Sequence, residues 1–156
     1  MSVAADVLAE LGRKNLTLAT CESLTGGLIG AELTTVPGAS KVYRGGFITY
    51  ASDLKTSLVG VSAEYVRDFG VINAHTAEQM AAGAAEQTAS DVALAVTGVA
   101  GPDPQDGNPP GVVWVGYSIC GRRGSRQLNL SGERNEIRAQ TTQQALLVLL
   151  EELGGS

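Results

Sequence analysis

The chain of 156 residues is poor in several residue types that carry common protein chemistries. Its two cysteines, Cys21 and Cys120, form no CxxC or zinc-site spacing, so we expect both thiols to be reduced and buried. Aromatic residues make up only 4%, which argues against a stacking platform for single-stranded nucleic acid. Any Ser–His–Asp triad would depend on the single histidine, His75, whose position in the first turn of an alanine-rich helix is ordinary for a solvent-exposed side chain.

Charge and long apolar runs are scarce as well. Charged residues make up 17% of the chain, and 16 acidic residues against 11 basic ones give a net charge of −5. A nucleic-acid surface needs a basic face, so no nucleic-acid partner is expected, although two or three local cations would suffice for a small anionic ligand. No apolar run approaches the roughly 20 residues of a membrane-spanning helix, and no signal peptide is recognisable. We therefore expect a cytoplasmic protein without a membrane partner.

The hydrophobic pattern predicts alternating strands and helices without repeats or an interdomain linker. Expected helices cover residues 4–11, 28–33, 53–58, 61–68, 74–89 and 135–153, and expected strands cover residues 16–20, 45–50, 91–96, 111–119 and 125–130. This order predicts a single α/β domain over residues 1–156, with three layers (α/β/α) and a mixed, mostly parallel sheet. The 20 glycines are expected in its turns.

The segment Cys-Glu-Ser-Leu-Thr-Gly-Gly at residues 21–27 lies between a predicted strand and a predicted helix. Ligands of open α/β sheets bind at this position, and the free N–H groups of a helix start suit an anion or a developing oxyanion. Ser23 is the candidate nucleophile. From the spacing alone, a simple turn in which Ser23 or Thr25 caps the helix is the stronger interpretation. No GxGxxG motif is present, so a dinucleotide site is not supported.

Tyr50 and Lys55 follow the second predicted strand. A serine hydroxyl needs a base to accept its proton, and lysine replaces histidine in this role where burial lowers its pKa. From the residues alone, a solvated lysine on a helix surface is the stronger interpretation of Lys55.

Two further segments are candidates for ligand contact. Residues 97–102 end a predicted central strand in small residues, and loops at such a position either bind ligands or only connect elements. Arg134 and Arg138 share one face of the last predicted helix. Their guanidinium groups suit a phosphate, but a helix face of ion pairs with Glu133 and Glu136 is the slightly stronger interpretation from the residues alone.

These motifs, taken together and in order, resemble the CinA family, meaning the C-terminal domain of competence/damage-inducible protein CinA and its stand-alone relatives. The resemblance extends over residues 7–153. It rests on the segments at residues 20–27, 36–40, 43–46, 58–61, 80–83 and 97–102, on Tyr50 with Lys55, and on residues 132–134 with Arg138.

The resemblance implies a nicotinamide-nucleotide amidase (NMN deamidase), which hydrolyses nicotinamide mononucleotide to nicotinic acid mononucleotide and ammonia in pyridine-nucleotide salvage. It implies Ser23 as nucleophile, Lys55 as base and Tyr50 as assisting hydroxyl, with no metal and no cofactor. The expected substrate contacts, including backbone oxyanion donors around residues 25–27 and an arginine for the phosphate, are Thr25, Gly26, Gly27, Gly46, Thr97, Gly98, Gly101, Arg134 and Arg138.

The chain also departs from the family pattern. Its loop at residues 103–111 is acidic and lacks the family's lysine, which leaves the loop's role open. The N-terminal domain of larger members, which resembles molybdopterin-binding proteins, has no counterpart here, so we expect the amidase domain alone. A catalytically silent nucleotide-binding or regulatory module, an amidase for another carboxamide, and a homo-oligomer all stay open.

Overall fold

The computed structural model describes residues 2–154, which form six α-helices and five β-strands. The helices are α1 (Val3–Arg13), α2 (Leu28–Thr34), α3 (Ser52–Val59), α4 (Ala63–Phe69), α5 (Ala74–Thr88) and α6 (Arg134–Gly154). The strands are β1 (Leu18–Glu22), β2 (Tyr43–Ile48), β3 (Val92–Gly98), β4 (Val112–Ile119) and β5 (Arg122–Asn129), and a short 3₁₀ turn covers Ala39–Lys41. Each of these helices is too short or too polar to span a membrane.

The five strands form one sheet in the order β2-β1-β3-β4-β5. Strand β1 pairs in parallel with β2 and β3, whereas β4 pairs antiparallel with β3 and with β5. Four strands therefore point in one direction and only β4 opposes them, although parallel and antiparallel pairings are equal in number. The predicted mixed α/β sheet is confirmed.

Helices cover both faces of the sheet, which gives the predicted three layers. On β1 and β3, Leu18, Leu94 and Val96 face a core shared with α1, α2 and α6. The intervening Ala19, Cys21, Ala93 and Ala95 pack instead with α5 and the end of α3. Small side chains let α5 approach the sheet closely, and a Cβ at Gly116 of β4 would lie 2.1 Å from the carbonyl oxygen of Ala77.

Several predicted boundaries shift. Strand β1 ends at Glu22 and β2 at Ile48, each two residues away from the expected end. The hairpin of β4 and β5 turns at Cys120 and Gly121, with φ of 49° and 89°, rather than over residues 121–124. Two positive φ values are typical of the tight two-residue turn that matches the twist of a hairpin. Because Cys120 lies in this turn it is exposed, so the prediction of a buried thiol is wrong there, while Cys21 is buried; both are free.

The parallel strands position the functional groups. The carboxyl ends of β1, β2 and β3 meet at one edge of the sheet, where Ser23 follows β1, Tyr50 follows β2 and the loop from Val99 follows β3. This edge is where open α/β sheets bind ligands.

Candidate active site

A cleft of about 670 Å³ lies at the carboxyl edge of the parallel strands. It brings together five of the predicted site residues, namely Ser23, Tyr50, Gly98, Gly101 and Arg134. The loop after β3 contributes a further wall of the cleft with Asp103, Pro104 and Gln105. Segments that are far apart in the sequence therefore share one cavity, of a size typical for small-molecule sites.

Lys55 lies beneath this cleft and contacts the serine. Its Nζ lies 3.1 Å from Ser23 Oγ and donates to the carbonyl oxygen of Thr49 at 2.6 Å. The side chain is 1% exposed, which excludes the interpretation of Lys55 as a solvated surface lysine. None of the ion pairs within residues 2–154 involves this ammonium.

Burial changes the acid–base behaviour of Lys55. Loss of hydration lowers the pKa of its ammonium from 10.5 to about 8, against the smaller opposing influence of Cys21 and Asp106. Burial also raises the pKa of the neighbouring Cys21 thiol to about 11, so this cysteine stays a neutral thiol near pH 7. A lysine with a lowered pKa beside a serine hydroxyl is the arrangement that general-base activation of serine requires.

Glu22 holds the turn that presents Ser23. Its buried carboxylate accepts hydrogen bonds from Thr25 Oγ1 and from the N–H groups of Gly27, Ile29 and Gly30, at 2.7 to 3.1 Å. It therefore takes up the free N–H groups at the start of α2 and complements the helix dipole. The sequence interpretation assigned Glu22 no such role; the signal available was an acidic residue just before a glycine turn and a helix start.

The glycine turn is engaged differently from the prediction. Gly26 and Gly27 have φ of 59° and 110°, a backbone region that favours glycine. Their N–H groups already donate, Gly26 to the carbonyl oxygen of Ser23 at 3.1 Å and Gly27 to Glu22. These two amides are therefore not the oxyanion donors we expected. Because Thr25 is fully buried and does not line the cleft, the amide of Leu24 is left as the candidate donor. Leu24 directly follows the serine and lines the cleft.

The two predicted arginines have different surroundings. Arg134 lines the cleft and donates to the carbonyl oxygen of Gly101 and, at 3.0 Å, to Tyr50 Oη. Arg138 instead donates to the carbonyl oxygens of Leu24 and Thr25 at 2.9 and 3.3 Å and to Asn135 at 3.1 Å. Only Arg134 is placed to meet a ligand in the cleft.

Three other residues that were predicted to contact the substrate, Thr97, Gly46 and Thr25, have partners elsewhere in the fold. Thr97 is buried and its hydroxyl donates to the carbonyl oxygen of Val71 at 2.8 Å. Gly46 packs against the backbone of Thr20 and lines a separate depression of about 250 Å³. Thr25 is fully buried and contacts Glu22. None of these three residues lines the cleft.

Tyr50 stands at the cleft mouth, 62% exposed. Because its oxygen accepts from Arg134, its own O–H remains able to donate toward a ligand.

The single histidine, His75, lies outside the cleft. Its side chain is exposed, and its ring centroid lies 4.0 Å from that of Tyr65.

The fold and the cleft define a three-layer α/β protein with a buried Ser–Lys pair at the carboxyl edge of its sheet. The model of the CinA C-terminal domain matches residues 1–153, and the chain belongs to this family. A Limosilactobacillus fermentum relative, whose name refers to competence-damage induction, is 46% identical over 148 residues, which is 94% of this chain. A CinA-like protein of Dictyoglomus thermophilum is 40% identical over 139 residues, or 87% of this chain.

Solved structures agree with this assignment. A competence-damaged protein (CinA) superfamily protein from Klebsiella pneumoniae matches with a TM-score of 0.95 at 26% identity, covering 99% of this chain and 97% of that one. The competence/damage inducible protein CihA from Agrobacterium tumefaciens matches with a TM-score of 0.89 at 35% identity, covering 96% and 93%. The two curated relatives are longer, and the chain spans 36% and 33% of their lengths.

Proposed function

We propose that this CinA-family protein is a nicotinamide-nucleotide amidase that uses Ser23 as nucleophile and Lys55 as base. The observation that carries the proposal is the 3.1 Å contact between Lys55 Nζ and Ser23 Oγ, formed by a buried lysine whose pKa is lowered to about 8. At pH 7 such a group is neutral in about a tenth of the molecules, far more than an ordinary lysine. The reaction converts nicotinamide mononucleotide and water into nicotinic acid mononucleotide and ammonia.

In the acylation step, neutral Lys55 accepts the proton of Ser23 while one of its N–H groups stays bonded to the Thr49 carbonyl. Ser23 Oγ then bonds to the carboxamide carbon. The negative charge that develops on the carboxamide oxygen is stabilised by the backbone amide of Leu24. This donor is fixed before the reaction by the hydrogen bond from Gly26 N–H to the carbonyl oxygen of Ser23 in the same turn.

Release of ammonia requires a proton on the leaving nitrogen. The proton taken from Ser23 supplies it, and Tyr50 is the hydroxyl placed at the mouth of the cleft to relay it. The C–N bond breaks and leaves an ester on Ser23. Water then attacks this ester with Lys55 as base, and the proton returns to Ser23 as the acid leaves.

The nucleotide part of the substrate is held, in this proposal, by Arg134 and the loop of residues 98–101. Arg134 is the arginine that lines the cleft, and arginine binds phosphate oxygens through two parallel N–H groups. The volume of about 670 Å³ is sufficient for a small nucleotide.

The test is ammonia release from nicotinamide mononucleotide by the wild type and by Ser23→Ala. We expect Ser23→Ala to lose activity by about 1,000-fold or more, because the nucleophile is removed. Ser57→Ala is the matched control, since Ser57 is exposed on α3, and it should keep full activity. Full activity of Ser23→Ala would exclude the proposed mechanism.

The same assay separates the remaining alternatives. A wild type that releases ammonia from other amides, but not from the mononucleotide, would be an amidase of different specificity. Binding of the mononucleotide without turnover would favour the silent nucleotide-binding module. That module has no need for a buried lysine in contact with a serine, which is why the geometry favours the amidase.

A further inference from the structure

Arg138 contacts the turn that carries the nucleophile, yet the proposed reaction leaves it without a role. We infer that Arg138 is a positioning residue that holds the turn beside Ser23 and polarises the backbone amide of Leu24 so that it stabilises the oxyanion. This inference rests on the proposed acyl transfer to Ser23. It replaces the expectation that Arg138 binds the substrate phosphate.

A chain of hydrogen bonds joins the guanidinium to the amide that follows the nucleophile. Arg138 Nη2 donates to the carbonyl oxygen of Thr25 at 3.3 Å. The same peptide group carries the N–H of Gly26, which donates to the carbonyl oxygen of Ser23 at 3.1 Å. That second peptide group carries the N–H of Leu24. Because each hydrogen bond polarises the next peptide, the positive charge strengthens Leu24 N–H as a donor.

A second hydrogen bond of Arg138 fixes the neighbouring peptide group of the same turn. Arg138 Nε donates to the carbonyl oxygen of Leu24 at 2.9 Å, and the same peptide group carries the N–H of Thr25. One guanidinium thus holds two consecutive peptide groups directly after the Leu24 amide. Hydrogen bonds from a charged donor are about twice as strong as neutral ones. The bonds from Arg138 therefore fix the orientation of these peptide groups as well as polarise them.

The turn is also fixed from its other end. Glu22 accepts from Thr25 Oγ1 and from the amide of Gly27, while Arg138 donates to the carbonyls of Leu24 and Thr25. A buried carboxylate and a guanidinium therefore hold opposite sides of the same short segment. This arrangement preorganises the Leu24 amide before substrate arrives, which is the condition for oxyanion stabilisation.

The contacts of Arg138 also argue against phosphate binding. All three guanidinium nitrogens already donate to Leu24, Thr25 and Asn135, and Arg138 is not among the residues that line the cleft. These bonds hold the guanidinium on the turn, outside the cleft, so its two remaining N–H groups do not face a ligand bound there. Substitution of Arg138 should therefore act on the chemical step rather than on substrate affinity.

The experiment compares kcat and KM of the wild type, Arg138→Gln and Arg138→Lys with nicotinamide mononucleotide. We expect kcat to fall by about tenfold or more in Arg138→Gln with KM changed by less than about twofold, since loss of a whole oxyanion donor costs about 100-fold to 1,000-fold. Arg138→Lys should recover part of kcat because its ammonium can still reach one carbonyl. A raised KM with unchanged kcat would overturn the inference.

Arg122→Gln is the matched control, since Arg122 pairs with Glu152 at the far end of α6. It should leave kcat unchanged. Should Arg138→Gln fail to fold, Arg138→Lys alone decides, because a loss in kcat at unchanged KM is expected of it as well.

A second readout separates this inference from the proposed substrate. Acetylation of Ser23 by p-nitrophenyl acetate, followed by mass spectrometry, needs the oxyanion donor but no nucleotide. A wild type that is acetylated but does not release ammonia from the mononucleotide contradicts the proposed substrate, and slower acetylation of Arg138→Gln then still supports the inference. Equal acetylation rates of the two proteins overturn it. A wild type with neither reaction overturns both proposals.

Discussion

Two buried charged groups flank Ser23, and their surroundings differ. Glu22 is 2% exposed and accepts four hydrogen bonds at the start of α2. Lys55 is 1% exposed and contacts one carbonyl and one hydroxyl, neither of them an anion. The carboxylate is fully compensated, so it stabilises the fold. The ammonium is not, so burial favours its neutral form, which is the form that can accept a proton.

The difference shows how one turn can be both rigid and reactive. The hydrogen bonds of Glu22 fix the backbone of the turn. Burial of Lys55 disfavours its charged form, so that neutral Lys55 is available as a base. Groups with a pKa shifted by burial are concentrated at functional sites for this reason. Removing the charge of Lys55 should therefore raise the stability of the fold, whereas removing the charge of Glu22 should lower it.

The largest expected effect follows from Lys55→Met. Methionine fills a similar volume without a charge, so we expect kcat for amide hydrolysis to fall by about 1,000-fold through loss of the general base. We also expect the variant to unfold at a higher temperature at pH 7, because the cost of burying an ammonium disappears. Kinetics and thermal unfolding on the same sample measure both.

The control for this variant is Lys41→Met, since Lys41 is exposed in the 3₁₀ turn. It should change neither activity nor unfolding temperature appreciably. An inactive Lys55→Met that is clearly less stable than the wild type would mean that Lys55 serves the fold, and the proposed contrast with Glu22 would be wrong.

A smaller effect, on stability, is expected of Glu22→Gln. The amide keeps one acceptor oxygen but brings an NH₂ group against a backbone N–H that needs an acceptor, and the charge at the start of α2 is lost. We expect the free energy of unfolding to fall by about 2 kcal/mol, measured by urea denaturation. Exposed Glu86→Gln on α5 is the control and should stay within about 0.5 kcal/mol of the wild type. An unchanged Glu22→Gln would show that its hydrogen bonds contribute little.

Much of the fold was predictable because the spacing of apolar residues along the sequence indicates which positions are buried. The six helices and five strands were all expected from the sequence. The end of β1 was misplaced because a charged residue such as Glu22 is unfavourable inside a buried strand unless a partner compensates its charge. The N–H groups of α2 are that partner for Glu22, and no local pattern reveals them.

The site was predictable only in part. The residues alone favoured a solvated Lys55, and the pairing with Ser23 came from family resemblance. The distance between them depends on the packing of α3 beside the end of β1, which sequence spacing does not specify. The roles of the two arginines were likewise undetermined, because Arg134 and Arg138 lie one turn apart on α6 and only packing shows which one reaches the cleft.

The smallest expected effect is a pH dependence that reports Lys55 directly. Because the pKa of Lys55 is lowered to about 8 and the neutral amine is the base, kcat/KM should rise by about tenfold between pH 7 and pH 9 and then level off. Stability has the same sign: unfolded Lys55 titrates near 10.5, so between about pH 8 and 10.5 the unfolded chain binds more protons, and this lysine's contribution to the free energy of unfolding increases with pH.

Two comparisons make this prediction specific to Lys55. The residual activity of Lys55→Met should lose the rise between pH 7 and pH 9, and the stability gain of that variant over the wild type should shrink as pH increases from about 8 to 10.5. Glu22→Gln should keep the wild-type pH profile, since its effect is on the fold. A wild-type rate that is constant or falls over pH 7 to 9 would mean that neutral Lys55 is not the base, whatever its distance from Ser23.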